Sequence, residues 1–292
     1  MPAKLKKSAL LIAGPTASGK SALALKLARE RNGVIINADS MQVYSELRIL
    51  TARPTAEEEA SVPHRLFGHV SGLNSYSVAR WLADATREIE ACWKEGRLPI
   101  LCGGTGLYFR VIEEGLAELP PIPLKIRERW RSADLNLHDE LTRRDSEMAA
   151  RLKPGDRQRI ARALEVIEAT GRSLSDWQKQ GQASSILQGA ALERLFLDVG
   201  RDELYARAER RFDQMMGAGA LEEVQALPKL PLSSPLLKAI GVPELKAYLR
   251  DEILLEQAVA HAKTATRRYI KRQLTWWRPR LASWTRHDGS HG

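Results

Sequence analysis

Cysteine is scarce in this chain, and long apolar runs are missing from it. The 292 residues include two cysteines, Cys92 and Cys102, and neither stands in a spacing typical of a zinc site or a disulfide framework. No apolar stretch approaches the roughly 18–20 residues that a membrane-spanning helix needs. We therefore expect a cytoplasmic protein in a reducing compartment, with no structural metal and no membrane association.

Acidic residues are absent from one part of the chain, between Lys263 and Arg286. This segment holds eight cations, whereas the net charge of the whole chain is +9. Four aromatic residues are interleaved with them: Tyr269, Trp276, Trp277 and Trp284. A basic block is usually a solvated helix face, but cations alternating with aromatics also suit a phosphate backbone and exposed bases. By itself the segment is consistent with either interpretation.

A glycine-rich segment near the N-terminus carries the strongest single motif. It follows the apolar run Ala9–Ala13 and precedes an alanine- and leucine-rich helical pattern, an order typical of a phosphate-binding loop. Backbone N–H groups of such a loop converge on a phosphate at the positive end of the helix dipole. We expect a di- or polyphosphate to be bound by eight residues: Gly14, Pro15, Thr16, Ala17, Ser18, Gly19, Lys20 and Ser21.

Two side chains of this loop have distinct expected roles. Lys20 supplies a mobile positive charge, and the Ser21 hydroxyl can ligate Mg²⁺, the one cofactor that we expect. A nucleotide would also fit such a loop on physical grounds, so ATP binding stays open. The motif therefore identifies the phosphates of the ligand but not the reaction.

The spacing of apolar runs predicts an α/β fold with a P-loop NTPase-like parallel sheet flanked by helices. Four short runs read as strands: Ala9–Ala13, Val34–Ala38, Leu98–Cys102 and Leu195–Val199. Helical patterns at about 19–31 and 77–95 connect them into βαβ units. Ligands of such sheets bind at the carboxyl ends of the strands. The glycine-rich loop, the residues after Ala38 and the turn Gly103-Gly104-Thr105-Gly106 all fall at that edge.

A change of character after residue 114 predicts an insertion. Pro120-Pro121-Ile122-Pro123 interrupts the pattern, charged helical segments follow at about 124–132, 135–152 and 156–170, and Gly171 is a candidate C-cap. We therefore expect residues 1–114 to form the first part of a catalytic core. Residues 115–194 would form an all-helical insertion, and residues 195–292 would complete the core and end in basic helices.

The last long helix is expected at about 252–277. Residues at three- and four-residue spacing predict its packed face: Leu255, Val259, Ala262, Thr266, Tyr269, Gln273 and Trp277. Lys263, Arg267 and Lys271 would then form one exposed cationic row, and Arg268 with Arg272 a neighbouring one.

The hexapeptide Asp39–Tyr44 follows the second predicted strand directly. Asp39 could cap a helix or close a turn. A carboxylate held close to a bound phosphate ester could instead act as a general base for an incoming nucleophile.

Several motifs, taken in order along the chain, resemble those of the bacterial tRNA dimethylallyltransferases. The phosphate loop alone is shared by many NTPases, whereas Asp-Ser-Met-Gln together with the tail Lys-Arg-Gln-x-Thr-Trp is far more selective. The matching segments extend over nearly the whole chain: Gly14–Ser21, Asp39–Tyr44, Thr51–Pro54, Gly103–Tyr108, Asp156–Glu165 and Tyr269–Trp276.

The resemblance implies transfer of a dimethylallyl group from dimethylallyl diphosphate to the exocyclic amine of the adenine just 3′ of the anticodon in tRNA. In that reaction Asp39 would be the base, while Thr16 and Arg211 would assist the departing diphosphate. The enzyme would act as a monomer on tRNA.

The resemblance also implies which residues contact the tRNA. Asp39 and the three residues after it would line the pocket for the target base, and a helix of the insertion would grip the anticodon stem-loop. The full set is Asp39, Ser40, Met41, Gln42, Thr105, Arg127, Gln158, Arg159, Ile160, Ala161, Arg162 and Lys238. Without the family context, Arg159 and Arg162 would be an ordinary solvated helix face.

Two departures from the family pattern occur, and three other functions compete with the expected one. His64 is followed by Arg65 where a second histidine is frequent, and Gly241-Val242-Pro243 replaces Gly-Tyr-Lys or Gly-Tyr-Arg. A small-molecule P-loop kinase would explain the glycine-rich loop but not the basic aromatic tail. An NTP-gated RNA-binding protein would not need Asp39 beside that loop, and an adenylate prenyltransferase would not need the insertion.

Overall fold

The computed structural model describes residues 7–180 and 184–288. The described residues contain six strands, numbered in chain order: β1 Ser8–Ala13, β2 Gly33–Asn37, β3 His64–Arg65, β4 Leu98–Gly103, β5 Ala191–Leu197 and β6 Thr285–His287. They form one sheet in the order β3-β2-β4-β1-β5-β6, and every neighbouring pair runs parallel.

Helices lie between these strands along the chain. In chain order they are α1 Lys20–Glu30, α2 Ala56–Ser61, α3 Val78–Lys94, α4 Gly106–Glu114, α5 Leu124–Ser132, α6 Leu137–Arg144, α7 Ser146–Arg151, α8 Arg157–Thr170, α9 Leu174–Lys179, α10 Arg201–Gly217, α11 Ala220–Gln225, α12 Val242–Leu249 and α13 Leu255–Trp277. Short 3-10 helices span Pro235–Lys238 and Arg278–Ser283.

The predicted α/β class with a parallel sheet is confirmed. The four predicted strands correspond to β1, β2, β4 and β5. β1, β2 and β4 are buried almost throughout, as expected for parallel strands covered by helices on both faces. The edge strands β3 and β6 were not predicted, because they have two and three residues and are partly exposed, so no apolar run marks them.

The register of the sheet brings three loops to one edge. Ala13, the last residue of β1, pairs with Gly103 of β4 and with Phe196 of β5, while Asn37 pairs with Cys102. A side chain on Gly103 would place its Cβ 2.1 Å from the backbone carbon and oxygen of Ala38, so only glycine allows this approach. The loops after β1, β2 and β4 therefore begin side by side.

The chain divides into two compact units. In the described part of the chain, the first consists of residues 7–113 and 186–288, and the second of residues 114–180, 184 and 185. The second unit interrupts the first in the sequence, and those of its residues that the structure describes are helical wherever they form regular structure. Its limits lie one residue before the start and nine before the end of the segment that the sequence predicted, 115–194.

The second unit has a hydrophobic core of its own, formed by Trp130, Leu137, Leu141, Ile160 and Leu164 with their neighbours. The prediction of one helix over 135–152 was wrong. α6 ends at Arg144, and Asp145 begins α7 by accepting a hydrogen bond on its side chain from the Met148 N–H at 3.0 Å. Gly171 ends α8 in a left-handed conformation with φ 68°, as predicted.

The C-terminal helix α13 packs along a slightly different face from the predicted one. Its buried residues are Ala258, Ala262, Thr266, Ile270, Gln273 and Trp277, whereas Leu255, Val259 and Tyr269 are only partly buried. The predicted exposed row of Lys263, Arg267 and Lys271 was also wrong in part. Lys263 and Arg267 pair with Asp213 and Glu209 of α10, because that helix packs alongside α13.

Candidate active site

The glycine-rich loop joins β1 to α1 with a backbone that suits an anion. Ala17 and Gly19 have positive φ values of 64° and 92°, which turn the chain between the strand and the helix. No side chain caps the start of α1, so its first N–H groups remain available to a ligand. The buried Ser18 Oγ has no hydrogen-bond partner among the described residues.

Lys20, the first residue of α1, folds back onto this loop. Its Nζ donates a hydrogen bond to the Pro15 carbonyl oxygen at 2.7 Å. Burial lowers the pKa of Lys20, the nearby Cys102 and Asp39 act in the opposite direction, and Arg211 adds to the lowering. An anion bound in the loop would favour the charged form of the ammonium group.

Arg211 reaches the loop from α10. Its Nη2 donates a hydrogen bond to the Thr16 Oγ1, although the two residues are 195 positions apart in the sequence. Burial lowers the pKa of Arg211, and the nearby Asp39 opposes this effect. The three predicted catalytic residues, Asp39, Thr16 and Arg211, and the predicted phosphate-binding Lys20 therefore meet at one edge of the sheet.

Asp39 lies in a hydrogen-bonded turn directly after β2. Its N–H donates to the Asn37 Oδ1 at 2.8 Å, and its own Oδ1 accepts from the Met41 N–H at 2.9 Å. The carboxylate thus closes a turn and also lies within the electrostatic reach of Lys20 and Arg211. The sequence left two interpretations of Asp39 open, a turn residue and a carboxylate close to a bound phosphate, and they are compatible.

Sequence reasoning missed Asn37, which holds this turn. Its side chain is fully buried, and its Nδ2 donates to the carbonyl oxygens of Asp39 at 2.9 Å and Leu66 at 3.1 Å. Its own carbonyl oxygen accepts from the Trp81 indole at 2.9 Å. A polar residue at the end of an otherwise apolar strand was the signal that could have identified it.

The residues after Asp39 are tied to the loop that follows β4. The Ser40 N–H donates to the Thr105 Oγ1 at 2.9 Å, and the Thr105 hydroxyl donates to the Ser40 Oγ at 3.3 Å. Gln42 Nε2 donates to the carbonyl oxygens of Thr51 and Ala52, both at 2.9 Å. Met41 is partly buried beside them.

A small cavity of about 30 Å³ lies next to this turn. Its wall includes Ser21, Asp39, Gln42, His64 and Cys102. Burial lowers the pKa of His64, whose Nδ1 lies 2.9 Å from the Val62 carbonyl oxygen, and burial raises the pKa of Cys102 to about 11. The histidine and the thiol are therefore both neutral near pH 7, whereas Asp39 brings a carboxyl group to the same wall.

Gln273 of α13 was predicted only as a packing residue. Its Oε1 accepts from the Thr16 N–H at 2.9 Å, and its Nε2 donates to the Gly104 carbonyl oxygen at 3.1 Å. One turn earlier on α13, the Tyr269 hydroxyl is hydrogen-bonded to Thr105, and burial raises the pKa of this tyrosine, with Asp39 adding to the effect. α13 therefore contacts both loops that flank Asp39.

The remaining predicted tRNA contacts lie elsewhere on the two units. Lys238 is exposed at the end of the first 3-10 helix of the first unit. In the second unit Gln158 and Arg159 are exposed on α8, and Arg162 pairs with Glu165 at 3.1 Å. Arg127 of α5 is partly buried, and its Nε has no hydrogen-bond partner among the described residues.

Two residues of that set are not available to a ligand through their side chains. Ile160 and Ala161 are 0% and 4% exposed and belong to the core of the second unit. Because α8 turns this face inward, a contact of Ile160 or Ala161 with tRNA would have to come from backbone atoms, and it stays a prediction. Contacts from Gln158, Arg159 and Arg162 stay a prediction.

The basic C-terminal segment is partly neutralised within the fold. Besides the pairs of Lys263 and Arg267 with α10, Arg286 pairs with Asp198 at 3.2 Å. Arg268, Lys271, Arg272, Arg278 and Arg280 are exposed, and Arg280 lies over the Trp276 ring, 4.0 Å from its centre. These five carry the charge that an external polyanion can meet.

Comparison with known proteins places the chain in a family. A family model described as IPP transferase matches residues 42–280, and another described as isopentenyl transferase matches residues 7–70. The tRNA dimethylallyltransferase of Azorhizobium caulinodans is 55% identical, with 97% of this chain and 92% of that protein covered. The corresponding protein of Nitrobacter hamburgensis is 52% identical, with 95% and 90% covered.

Comparison with solved structures leads to the same family. The full-length tRNA isopentenylpyrophosphate transferase from Bacillus halodurans has a TM-score of 0.68 at 36% identity, with 97% of this chain and 90% of that chain covered. A eukaryotic dimethylallyltransferase acting on tRNA has a TM-score of 0.84 at 27% identity, with 98% and 74% covered. Family models, relatives and folds all lead to one assignment: the chain belongs to the tRNA dimethylallyltransferases, a family of prenyltransferase enzymes.

Proposed function

We propose that this enzyme transfers a dimethylallyl group from dimethylallyl diphosphate to the exocyclic amine of the adenine 3′-adjacent to the anticodon of tRNA. The products are N6-isopentenyladenosine in the tRNA and free diphosphate. One observation carries the proposal: the Asp39 carboxylate, the Thr16–Arg211 hydrogen bond and Lys20 converge where β1, β2 and α1 meet.

The weak nucleophilicity of the acceptor amine explains why a carboxylate is needed as a base. The adenine amine is weakly nucleophilic because its lone pair is delocalised into the ring, so it must lose a proton as it attacks. The amine nitrogen forms a bond to the allylic carbon, the carbon–oxygen bond to diphosphate breaks, and the proton passes to the Asp39 carboxylate. General-base assistance of this kind typically contributes about 10²–10⁴ in rate.

The leaving group explains the cations. Negative charge grows on the diphosphate as the carbon–oxygen bond breaks. Arg211, the Thr16 hydroxyl, Lys20 and the loop N–H groups can stabilise it without reorganising. The exposed Ser21 hydroxyl shares the cavity wall with Asp39, and it fits a Mg²⁺ ligand because Mg²⁺ prefers oxygen donors. When bound, Mg²⁺ would neutralise part of the diphosphate charge.

A base of the anticodon loop must leave its stack to reach Asp39. We propose that Ser40, Met41, Gln42 and Thr105 form the pocket that receives it. Arg127, Gln158, Arg159 and Arg162 of the second unit, with Lys238 and the exposed cations of α13 in the first, would hold the surrounding RNA. The enzyme is proposed to act as a cytoplasmic monomer. Among the residues that the structure describes, no helix combines the length and apolar composition that a bilayer crossing requires.

The alternatives have less support. A kinase of this fold usually holds Mg²⁺ with a second carboxylate at a strand end, but β4 is followed by Gly104. Asp198, which follows β5, pairs with Arg286. A protein that only binds RNA would have no need of Asp39 beside the phosphate loop.

The direct test is mass spectrometry of nucleosides from tRNA incubated with the protein, Mg²⁺ and dimethylallyl diphosphate. We expect N6-isopentenyladenosine among these nucleosides, and none without the prenyl donor. A parallel incubation with radiolabelled ATP and candidate acceptors tests the kinase. If the tRNA stays unmodified and an acceptor becomes labelled from ATP, the assignment would be reversed in favour of the kinase.

A further inference from the structure

Gln273 is a polar side chain in an unusual place. It is 6% exposed and lies on the buried face of α13, between Ile270 and Trp277. A buried amide is costly unless its donor and acceptor are both satisfied. Here both are used, since Oε1 accepts from the Thr16 N–H at 2.9 Å and Nε2 donates to the Gly104 carbonyl oxygen at 3.1 Å.

The two partners belong to the two loops that carry the proposed chemistry. Thr16 is in the phosphate loop, and its hydroxyl is held by Arg211. Gly104 follows β4 beside Asp39. A Cβ on Gly104 would lie 2.4 Å from the Gln273 Nε2 and 3.5 Å from the Asp39 Oδ2. Glycine at this position therefore lets the Gln273 amide approach the turn, while the Asp39 carboxylate lies at ordinary contact distance.

We infer that Gln273 is a positioning residue, which fixes the diphosphate-binding loop relative to the turn beside Asp39. A carboxamide carries a donor and an acceptor at a fixed separation, so it sets the spacing between the Thr16 nitrogen and the Gly104 oxygen. Nothing in this role requires contact with the substrate. The inference rests on the proposed function, because that function makes the spacing of these loops matter.

The first test compares Gln273→Met with Thr266→Val in the full chain. Met has a similar length and no hydrogen bonds of this kind. Thr266 lies on the same buried face, and its hydroxyl donates only within the helix to the Ala262 carbonyl oxygen at 2.9 Å. Titration calorimetry with inorganic diphosphate and Mg²⁺ reports on the loop without tRNA, and steady-state kinetics report on the reaction.

For Gln273→Met we expect the Kd for diphosphate and the KM for dimethylallyl diphosphate to rise about tenfold, the effect of losing a net 1.4 kcal/mol. The KM for tRNA should stay within about twofold, and Thr266→Val should leave every constant within that range. A folded Gln273→Met protein that binds diphosphate like the wild type would overturn the inference. A wild-type protein that binds no diphosphate would instead contradict the proposed function.

Gln273→Glu gives a second test, because this substitution changes the hydrogen bonding and the charge but hardly changes the size of the side chain. A carboxylate cannot donate to the Gly104 carbonyl oxygen and adds negative charge near the diphosphate, whereas a protonated carboxyl group can donate and accept as the amide does. We expect the ratio of variant to wild-type Kd for diphosphate to exceed ten at pH 8 and to fall as the pH is lowered to 6. A Gln273→Glu protein that binds diphosphate like the wild type at pH 8 would show that the donated hydrogen bond has no role.

Discussion

Arg211 holds the hydroxyl of Thr16, so a side chain of α10 completes a loop that begins near the N-terminus. The arginine also lies close enough to Asp39 for the carboxylate to affect its pKa. A cation placed in this way can stabilise charge that develops on a departing diphosphate, and it also keeps the threonine hydroxyl in position.

The first prediction concerns this pair. Arg211→Met and Thr16→Val should each lower kcat by about 10²–10³, the usual effect of removing one donor to a developing anion. Since the two groups act together, the kcat of the double variant should be only slightly below the kcat of the less active single variant. Kinetics of the four proteins measure this coupling. Arg207→Ala, which removes a surface pair with Glu203 one turn earlier on α10, is the control and should leave kcat unchanged. Fully additive losses would contradict a shared role.

The second prediction concerns the base. Asp39→Asn retains an oxygen that can accept from the Met41 N–H, so the turn should persist, but the amide cannot take up the proton. Single-turnover prenylation of tRNA should slow by about 10³ or more, in the upper part of the range for a general base. Binding of diphosphate should not weaken, because a negative charge beside it has been removed. A rate near that of the wild type would remove Asp39 from the mechanism.

The third prediction concerns stability. Asn37→Ala removes two hydrogen bonds that the Asn37 side chain donates to the carbonyl oxygens of Asp39 and Leu66 at a partly buried site. We expect the free energy of unfolding to fall by about 2–4 kcal/mol in urea titrations. Asn74→Ala is the matched control, since Asn74 is exposed and the change should cost less than about 0.5 kcal/mol. Equal losses in the two variants would show that the buried amide does not hold the turn.

The fourth prediction is a pH dependence with a defined sign. Burial lowers the pKa of His64 in the folded protein, so the unfolded chain binds the proton more readily. The free energy of unfolding should therefore fall as the pH drops below about 6.5, the pKa of an unperturbed histidine. Urea titrations between pH 7.5 and 5 should show a smaller loss for His64→Phe than for the wild type. Parallel curves for the two proteins would assign the pH dependence to other groups.

The fifth prediction separates free cations of α13 from paired ones. Lys271 is exposed, whereas Lys263 is paired with Asp213. If α13 contacts the tRNA backbone, Lys271→Ala should weaken tRNA binding and reduce the slope of log K against log salt by about one. Lys263→Ala should change that slope less, because its charge is already neutralised. Filter binding at several salt concentrations measures both, and identical slopes would place the RNA away from this face.

The candidate site was predictable where its chemistry follows from residues close together in the sequence. Gly14–Ser21 after an apolar run predicted a phosphate loop, and Asp39 after the next run predicted a carboxylate at the same edge. The roles of Asn37 and Gln273 were not predictable in this way. Each is an amide whose partners come from other loops, and in the sequence it looks like a strand residue or a packing residue.

The pairing of the charges in the C-terminal segment could not be predicted from the sequence either. The sequence between Lys263 and Arg286 contains no acid, so it reads as a free basic surface. Folding brings Asp213, Glu209 and Asp198 against it from other elements, and three of its eight cations become paired.

The sequence by itself determined the parallel sheet, the glycine-rich loop and the order of the family motifs, because strand pattern and loop conformation depend on neighbouring residues. The family resemblance had already indicated Arg211, but only the tertiary structure decided how Arg211 and Gln273 complete the site. Arg211 and Gln273 reach Thr16 because α10 and α13 pack beside the phosphate loop, and long-range packing of that kind has no local signature.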